Sequence, residues 1–264
     1  MSMGATALAG LAFGILVFPT PRSAPVTTKY RIETKNETTV DLSSFNQPPQ
    51  QVNIGLTSWV AVTMSDTTGG RILRLVVDSM KYDGTAPQIS QLSADSAKGG
   101  VLHGLVDSKG RVTNLTQQPS TNIFLADIQG VIHSFFPKVK AGAKSGEGWT
   151  DTVEVTNTTN GSNVKSSFLI NYTAGGQESV SGLTALKLSA ASRASITGTI
   201  ENPQAGTMEV AGTVTGTSTS LVGTDGRYLG GSSNSTSDQT LKSAMIPTAI
   251  PVKVLRSVSV TVLP

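Results

Sequence analysis

Ser162-Asn163-Val164-Lys165 has the Ser-x-x-Lys spacing in which a lysine amine can activate a serine hydroxyl for nucleophilic attack. That chemistry needs a helix, which stacks the two side chains one turn apart. Here Asn160-Gly161 stands immediately before it and signals a hairpin turn into a strand. No Gly-x-Ser-x-Gly elbow occurs elsewhere. Gly142-Ala143-Lys144-Ser145-Gly146 has the look of a phosphate loop, but the two glycines of that pattern are replaced by Ala143 and Lys138. His103 and His133 have no neighbour at metal-ligand spacing, and no Asp-x-Asp-x-Asp-Gly calcium loop is present. The carboxylates Asp66, Asp78, Asp83, Asp107, Asp127, Asp151, Glu154 and Asp225 are scattered. A glycosidase pair could be drawn from them, although nothing in their spacing selects one. The residues therefore select no catalytic group, no metal ligand and no cofactor.

Composition narrows the field further. The 264 residues include no cysteine, which removes disulfides, thiolate nucleophiles and cysteine-bound zinc. Charged residues are 14% and aromatics 5%, and the net charge of +3 is spread without a Lys/Arg cluster. Nucleic acid is not an expected partner. Ala5 to Phe18 is uncharged and apolar and is followed by Pro19, Pro21 and Ser23-Ala24. It is shorter than the ~20 residues of a membrane span and reads as an export signal over residues 1–24. No Lys or Arg precedes it, so a buried apolar strand or helix is the other reading. A secreted or periplasmic location follows from the first, with no membrane span once the signal is removed. Six Asn-x-Ser/Thr sequons, at Asn36, Asn114, Asn157, Asn160, Asn171 and Asn234, fit either glycosylation or simple Asn/Thr richness in loops.

The elements that would position any site are strands. From Lys29 onward the apolar period is two. Between Gln51 and Asp66, the residues Val52, Ile54, Leu56, Val60, Val62 and Met64 share one face, and Val252, Val254, Val258, Val260 and Val262 repeat the pattern near the C-terminus. A strand near 14 residues belongs to a barrel or a strongly curved sheet. Further strands are expected at 30–40, 71–82, 88–92, 101–106, 111–115, 149–157, 164–173, 179–189, 194–201, 207–215, 218–222, 227–231 and 237–242. Hairpin turns are expected at Asn160-Gly161, Asp225-Gly226 and Asp83-Gly84.

Asn122 to Phe136 breaks the alternation. Phe124, Ile128, Val131, Ile132, Phe135 and Phe136 recur at helical spacing, Ser120, Thr121 or Asn122 can cap the start, and Pro137 stops the helix. The pattern Leu105-Val106…Gly110-Arg111 recurs as Leu221-Val222…Gly226-Arg227, 116 residues on. Two related β-halves, 29–121 and 149–264, joined by helix 122–136 as lid, plug or hinge, are the organisation this suggests within a β-rich domain 25–264. The fold class expected is mainly β, a large antiparallel curved sheet or unclosed barrel with one helix. An outer-membrane barrel is disfavoured, because four Tyr and two Trp cannot build two aromatic girdles.

The export-like N-terminus, the long curved strands, the Gly-Arg hairpins and the junction Phe135-Phe136-Pro137…Gly146-Glu147-Gly148-Trp149-Thr150-Asp151-Thr152 resemble uncharacterised secreted bacterial β proteins. Their architecture is similar to lipoprotein carriers of the LolA and LppX type. That resemblance implies a half-barrel whose concave face holds acyl chains under a helical lid. No carrier functional residue matches, and none is transferred. The expected ligand is a lipid or other hydrophobic small molecule lying between sheet and helix, against Val52, Ile54, Leu56, Val60, Val62, Phe124, Ile128, Val131, Ile132 and Phe135. Their other role is plain core. A structural or adhesive surface module with exposed Thr/Ser faces is the second reading, and a hydrolase with a dispersed site the third.

Overall fold

Alternating apolar and polar residues give eleven antiparallel strands, the pattern that dries one face of a sheet and wets the other. The computed structural model describes residues 24–264 except 87–88, 108–110, 120–121, 133–135, 141, 160–161, 181, 203–205, 225 and 244–245. The export-signal reading over residues 1–24 thus lies, apart from Ala24, outside the described residues. The strands are β1 (Val26–Val40), β2 (Gln50–Thr67), β3 (Gly70–Gly84), β4 (Val101–Asp107), β5 (Val112–Gln118) and β6 (Gly148–Thr159). They continue with β7 (Ser162–Val180), β8 (Leu183–Asn202), β9 (Gly206–Gly223), β10 (Tyr228–Ser243) and β11 (Ile246–Val262). Among the described residues two α-helices interrupt them, α1 (Gln91–Asp95) and α2 (Ile123–Ile132), with a 3-10 turn at Ser43–Phe45. Strand makes up 73% of the structure, and the sheet curls into a half-barrel.

The strand order is β5-β4-β3-β2-β1-β11-β10-β9-β8-β7-β6. The described strands therefore begin at the centre, meander outward to one edge, resume after α2 at the opposite edge, and meander back. β11 closes the circuit on β1 in unbroken register from Tyr30↔Val262 to Val40↔Val252. The two Leu-Val…Gly-Arg hairpins close alike: Asp107 N–H donates to the Arg111 carbonyl at 2.9 Å, and Gly223 N–H to the Arg227 carbonyl at 2.8 Å. Their places in the sheet differ, since β4-β5 is at an edge and β9-β10 is interior.

The core lies on the inner face of β1–β4. Ile32, Val60, Leu73, Leu75, Val77 and Leu102 are at most 1% exposed. One irregularity sets this up. Trp59 pairs with Ser79 but Val60 pairs with Val77, so Asp78 is an inserted residue. The bulge resets the alternation and brings both Val77 and Met80 onto the buried face. Above them α1 and α2 close the core: Ala94, Phe124, Leu125, Ile128, Val131 and Ile132 are buried in the same cluster. Gly100 is required beside Leu125, because a Cβ there would run into the Ala97 carbonyl at 2.8 Å as well as Leu125 Cδ2 at 2.7 Å. Gly231 is required on β10 for a related reason, since a Cβ would come within 2.7 Å of the Tyr228 hydroxyl and run into the Thr219 carbonyl.

Several expectations are corrected. Residues 91–95 form α1 rather than the end of a strand over 88–92, because Ser90 caps them by accepting from Ser93 N–H at 3.3 Å. Asp83-Gly84 ends β3 and makes no hairpin, since the next element is α1. The expected strands 179–189 with 194–201, 207–215 with 218–222, and 227–231 with 237–242 fuse into β8, β9 and β10, of 20, 18 and 16 residues. The helix expected over 122–136 is described at Ile123–Ile132, with 133–135 outside the described residues; Asn122 caps it, its Oδ1 accepting from Phe124 N–H at 3.0 Å and Leu125 N–H at 3.2 Å. The Asn160-Gly161 turn falls outside the described residues, although Thr159↔Ser162 pair on either side of it.

Truncating a filled core position should be costly, and trimming an outward one should not. Leu75→Ala is expected to lower unfolding free energy by about 2–5 kcal/mol, and Leu255→Ala, at 41% exposed, by no more than about 0.5 kcal/mol. Urea denaturation followed by circular dichroism measures both.

Candidate functional site

The residues expected to surround an apolar ligand converge on the inner face, where they pack against one another. Leu56, Val60, Val62, Phe124, Ile128, Val131 and Ile132 are 0–5% exposed and belong to one core cluster. Ile54 packs on that cluster as a partly buried residue, and Val52 is half-buried further along the same row. Phe135 lies outside the described residues.

A charged clamp fixes α2 over the sheet. Asp127, on α2, accepts from Arg256 Nη2 of β11 at 2.9 Å and from the Thr34 hydroxyl of β1 at 3.2 Å. The alternation places Arg256 on the inner face of an otherwise apolar row, Val252 to Val262. There it is 31% exposed and Asp127 18%. A partly buried, hydrogen-bonded pair of this kind positions the helix as much as it stabilises it. The tie spans the only junction in the sheet formed by strands distant in sequence, β1 with β11.

A second polar cluster holds the segment that leads from α2 to β6. Trp149 stacks on Tyr172 with ring centroids 5.6 Å apart, and its indole N–H donates to the Lys138 carbonyl at 2.9 Å. Lys138 Nζ reaches the buried Asp151 carboxylate at 2.7 Å. Burial, with the nearby Asp151 charge, pushes the Tyr172 phenol above its ordinary value, against the lowering effect of a hydrogen bond at Lys138. The phosphate-loop look of 142–146 dissolves here as well. Glu147 pairs with Lys140 and accepts from Lys144 N–H at 3.0 Å, so a carboxylate of the chain itself orders this turn. Lys140 first, and then that amide, hold the Glu147 carboxyl below the usual range. These groups are engaged in tying down the linker and present no pair aimed at a common point.

Among the described residues, no group of three or more His, Asp or Glu could hold a metal ion, and no helix is long and apolar enough to cross a membrane.

Open space lies on the other side of the sheet. A trough of about 630 Å³ crosses the outer face over β1, β11, β10, β9, β8 and β7. Outward side chains line it: the hydroxyls of Thr215, Thr217, Thr236 and Ser257, the amides of Asn171 and Asn234, the charges of Lys35, Glu37 and Arg193, and the apolar Leu255 and Ala191. By contrast, an inner-face cleft by Ser218, Ser220, Tyr228, Val258 and Val260 measures about 10 Å³, room for about one water. Register assembles the trough from six separate strands: Lys35↔Ser257↔Asn234↔Thr217↔Ala191↔Asn171 run in one line across the sheet. Along the sequence, each of these positions is simply part of a strand's wet face. The available signal was the hydroxyl run Thr213, Thr215, Thr217 and Thr219 on one side of β9, and two of the sequons, Asn171 and Asn234, also fall here.

No family model matches the chain, and no curated protein matches it. A solved structure described as "Asymmetric conductivity of engineered proteins" aligns with 90% of this chain and 100% of its own at 9% identity and a TM-score of 0.23. A likeness at that score carries no argument about fold or activity.

Two outcomes follow from the clusters. Asp127→Ala leaves Arg256 without its carboxylate and should cost about 1–3 kcal/mol, with α2 amides exchanging faster while those of β7–β9 are unchanged. Thermal unfolding and hydrogen exchange read these two effects. Tyr172 stays neutral in the folded state at a pH where the unfolded chain has ionised it. Stability should therefore fall as pH rises through and above about 10, and Tyr172→Phe should flatten that decline in denaturant titrations.

Proposed function

We propose that the protein is a non-catalytic binding module of the cell exterior that engages a hydroxyl-rich, acidic polymer through its outer face. The observation that carries this reading is the contrast between the two faces. The inner side under α2 is filled with side chains at 0–5% exposure, whereas the outer side holds a trough of about 630 Å³ lined by hydroxyls, amides and charges. Hydroxyl and carboxamide groups both donate and accept, which suits a polyol such as a polysaccharide. Six strands spaced about 4.8 Å apart give a floor roughly 24 Å across, long enough for a chain rather than a single small molecule. Lys35 and Arg193 outnumber Glu37 among the lining charges, so carboxylate-bearing sugars fit better than neutral ones. The proposed location, secreted or periplasmic, rests on the apolar segment Ala5 to Phe18.

An apolar or amphiphilic ligand is the second reading, and a different observation favours it. α2 packs against β4 and β5, and farther across the sheet the inner-face residues Val252, Val254, Val214, Ile196 and Phe168 are only half-buried. A lipid chain would lie along that band, beside rather than beneath the helix.

Binding assays separate the two. Calorimetric titration with a uronate-containing polysaccharide should give heat that shrinks with added salt, and Arg193→Ala should weaken binding about tenfold, the worth of one charge-assisted hydrogen bond. A fluorescent fatty-acid probe that binds instead, with no polysaccharide heat, would transfer the function to the inner band.

A further inference from the structure

The two edges of this sheet are not alike. β5, at one edge, is 7 residues long, pairs with β4 through a register shift between His103 and Leu105, carries Asn114 at φ 52°, and is followed directly by Pro119. Shortness, irregularity and proline are the usual devices that keep an edge from pairing with another chain. β6, at the opposite edge, has none of these three, and its inward-pointing charge, Asp151, is already paired with Lys138. It runs 12 residues in unbroken register from Gly148↔Thr173 to Thr159↔Ser162 and contains neither lysine nor proline. Ala174 N–H donates to the Glu147 carbonyl at 2.9 Å where the β6-β7 ladder begins. By antiparallel alternation, Trp149, Asp151 and Val153 then bond to β7, while the main-chain groups of Thr150, Thr152, Glu154 and Thr156 point away from it. That row is a template for one more strand.

We infer that β6 pairs with β6 of a second copy, antiparallel and centred on Val153. Symmetry and charge select this arrangement. A two-fold axis through the sheet keeps inner residues opposite inner and outer opposite outer, so only registers centred on a residue are consistent with the dry and wet faces. Centring on Val153 sets Thr152 opposite Glu154, Asp151 opposite Val155 and Thr150 opposite Thr156, so no carboxylate faces another. Centring on Glu154 would oppose two carboxylates, and centring on Thr152 would pair fewer residues. Pairing β6 with β5 of another copy would generate an open-ended chain of molecules, which the irregular β5 edge opposes. The resulting dimer carries two outer troughs on one continuous face, so a polymer could engage both at once. The dimer itself does not depend on what the trough binds.

One strand per partner makes a small interface, in the class below about 1,200 Å² that dissociates readily, so the test spans concentration. Light scattering behind size exclusion should show the mass rising from one to two copies as concentration increases through the micromolar range. Thr152→Glu, on an exposed outer position, should keep the chain monomeric throughout by opposing carboxylates across the axis. Adding Glu154→Lys to it should restore the dimer. Because the chain has no cysteine, Val153→Cys supplies a single thiol, and mild oxidation should give a covalent dimer, while Thr213→Cys at mid-sheet should not. A wild-type protein monomeric at every concentration overturns the inference. So does a dimer that Thr152→Glu leaves intact, or a Val153→Cys protein that does not cross-link. Circular dichroism of each variant confirms that the fold is present.

Discussion

Pairing between β1 and β11 is the constraint on which the rest depends. Every other neighbouring pair of strands is adjacent in sequence, whereas this ladder joins Tyr30 to Val262. Without it there would be two meanders, each with an additional open edge. Formation requires closing a loop of more than 200 residues, although the entropy of closure grows only with the logarithm of length. Its return is a single curled sheet on which Tyr30 and Tyr228 meet across β11, the Tyr30 hydroxyl donating to the Tyr228 carbonyl at 3.0 Å. The Asp127 clamp works on the same junction, holding β1 through Thr34 and β11 through Arg256 from one carboxylate.

That junction also divides labour between the two halves of the sheet. On the β1–β4 side the inner face is filled with Leu, Ile, Val and Met and covered by α1 and α2. On the β7–β11 side the inner row contains Ser192, Gly216 and Ser235, and the second apolar cluster is small, with Ala174, Leu188 and Val222 at its centre. Stability concentrates in the first half, and broad, regular surface in the second. A scaffold of this kind suits contact with an extended partner better than enclosure of a small one. Its outer rows of Thr, Ser and Asn present hydrogen-bonding groups at strand spacing without long side chains to order.

Period-two alternation makes the strands legible, and helically spaced apolar residues make α2 legible, with Asn122 one of three cap candidates that the hydrogen bonds then decide. Three things are not. In sequence β9 and β10 look broken because Gly216, Gly231 and the serines after it resemble turns, and β8 because Ala190-Ala191-Ser192-Arg193 lacks a large apolar residue. Here, ladders on both sides hold such residues extended. α1 is not legible because its few apolar residues suit a short strand equally, and the Ser90 cap decides the case. The trough is illegible because its lining comes from six strands. Each member, taken alone, is an ordinary solvated residue, and only the register between strands brings Lys35, Asn234, Thr217 and Asn171 into one line.

If, as proposed, the outer face and not the inner one meets the ligand, β9 offers a direct reading of it. Thr213, Thr215 and Thr217 present methyl groups outward on this strand, while Val210 and Val214 point inward. Methyl chemical shifts recorded during titration with an acidic polysaccharide should move for the threonines and remain fixed for the valines. Shifts confined to Val210 and Val214, or no shifts along β9 at all, would contradict the account.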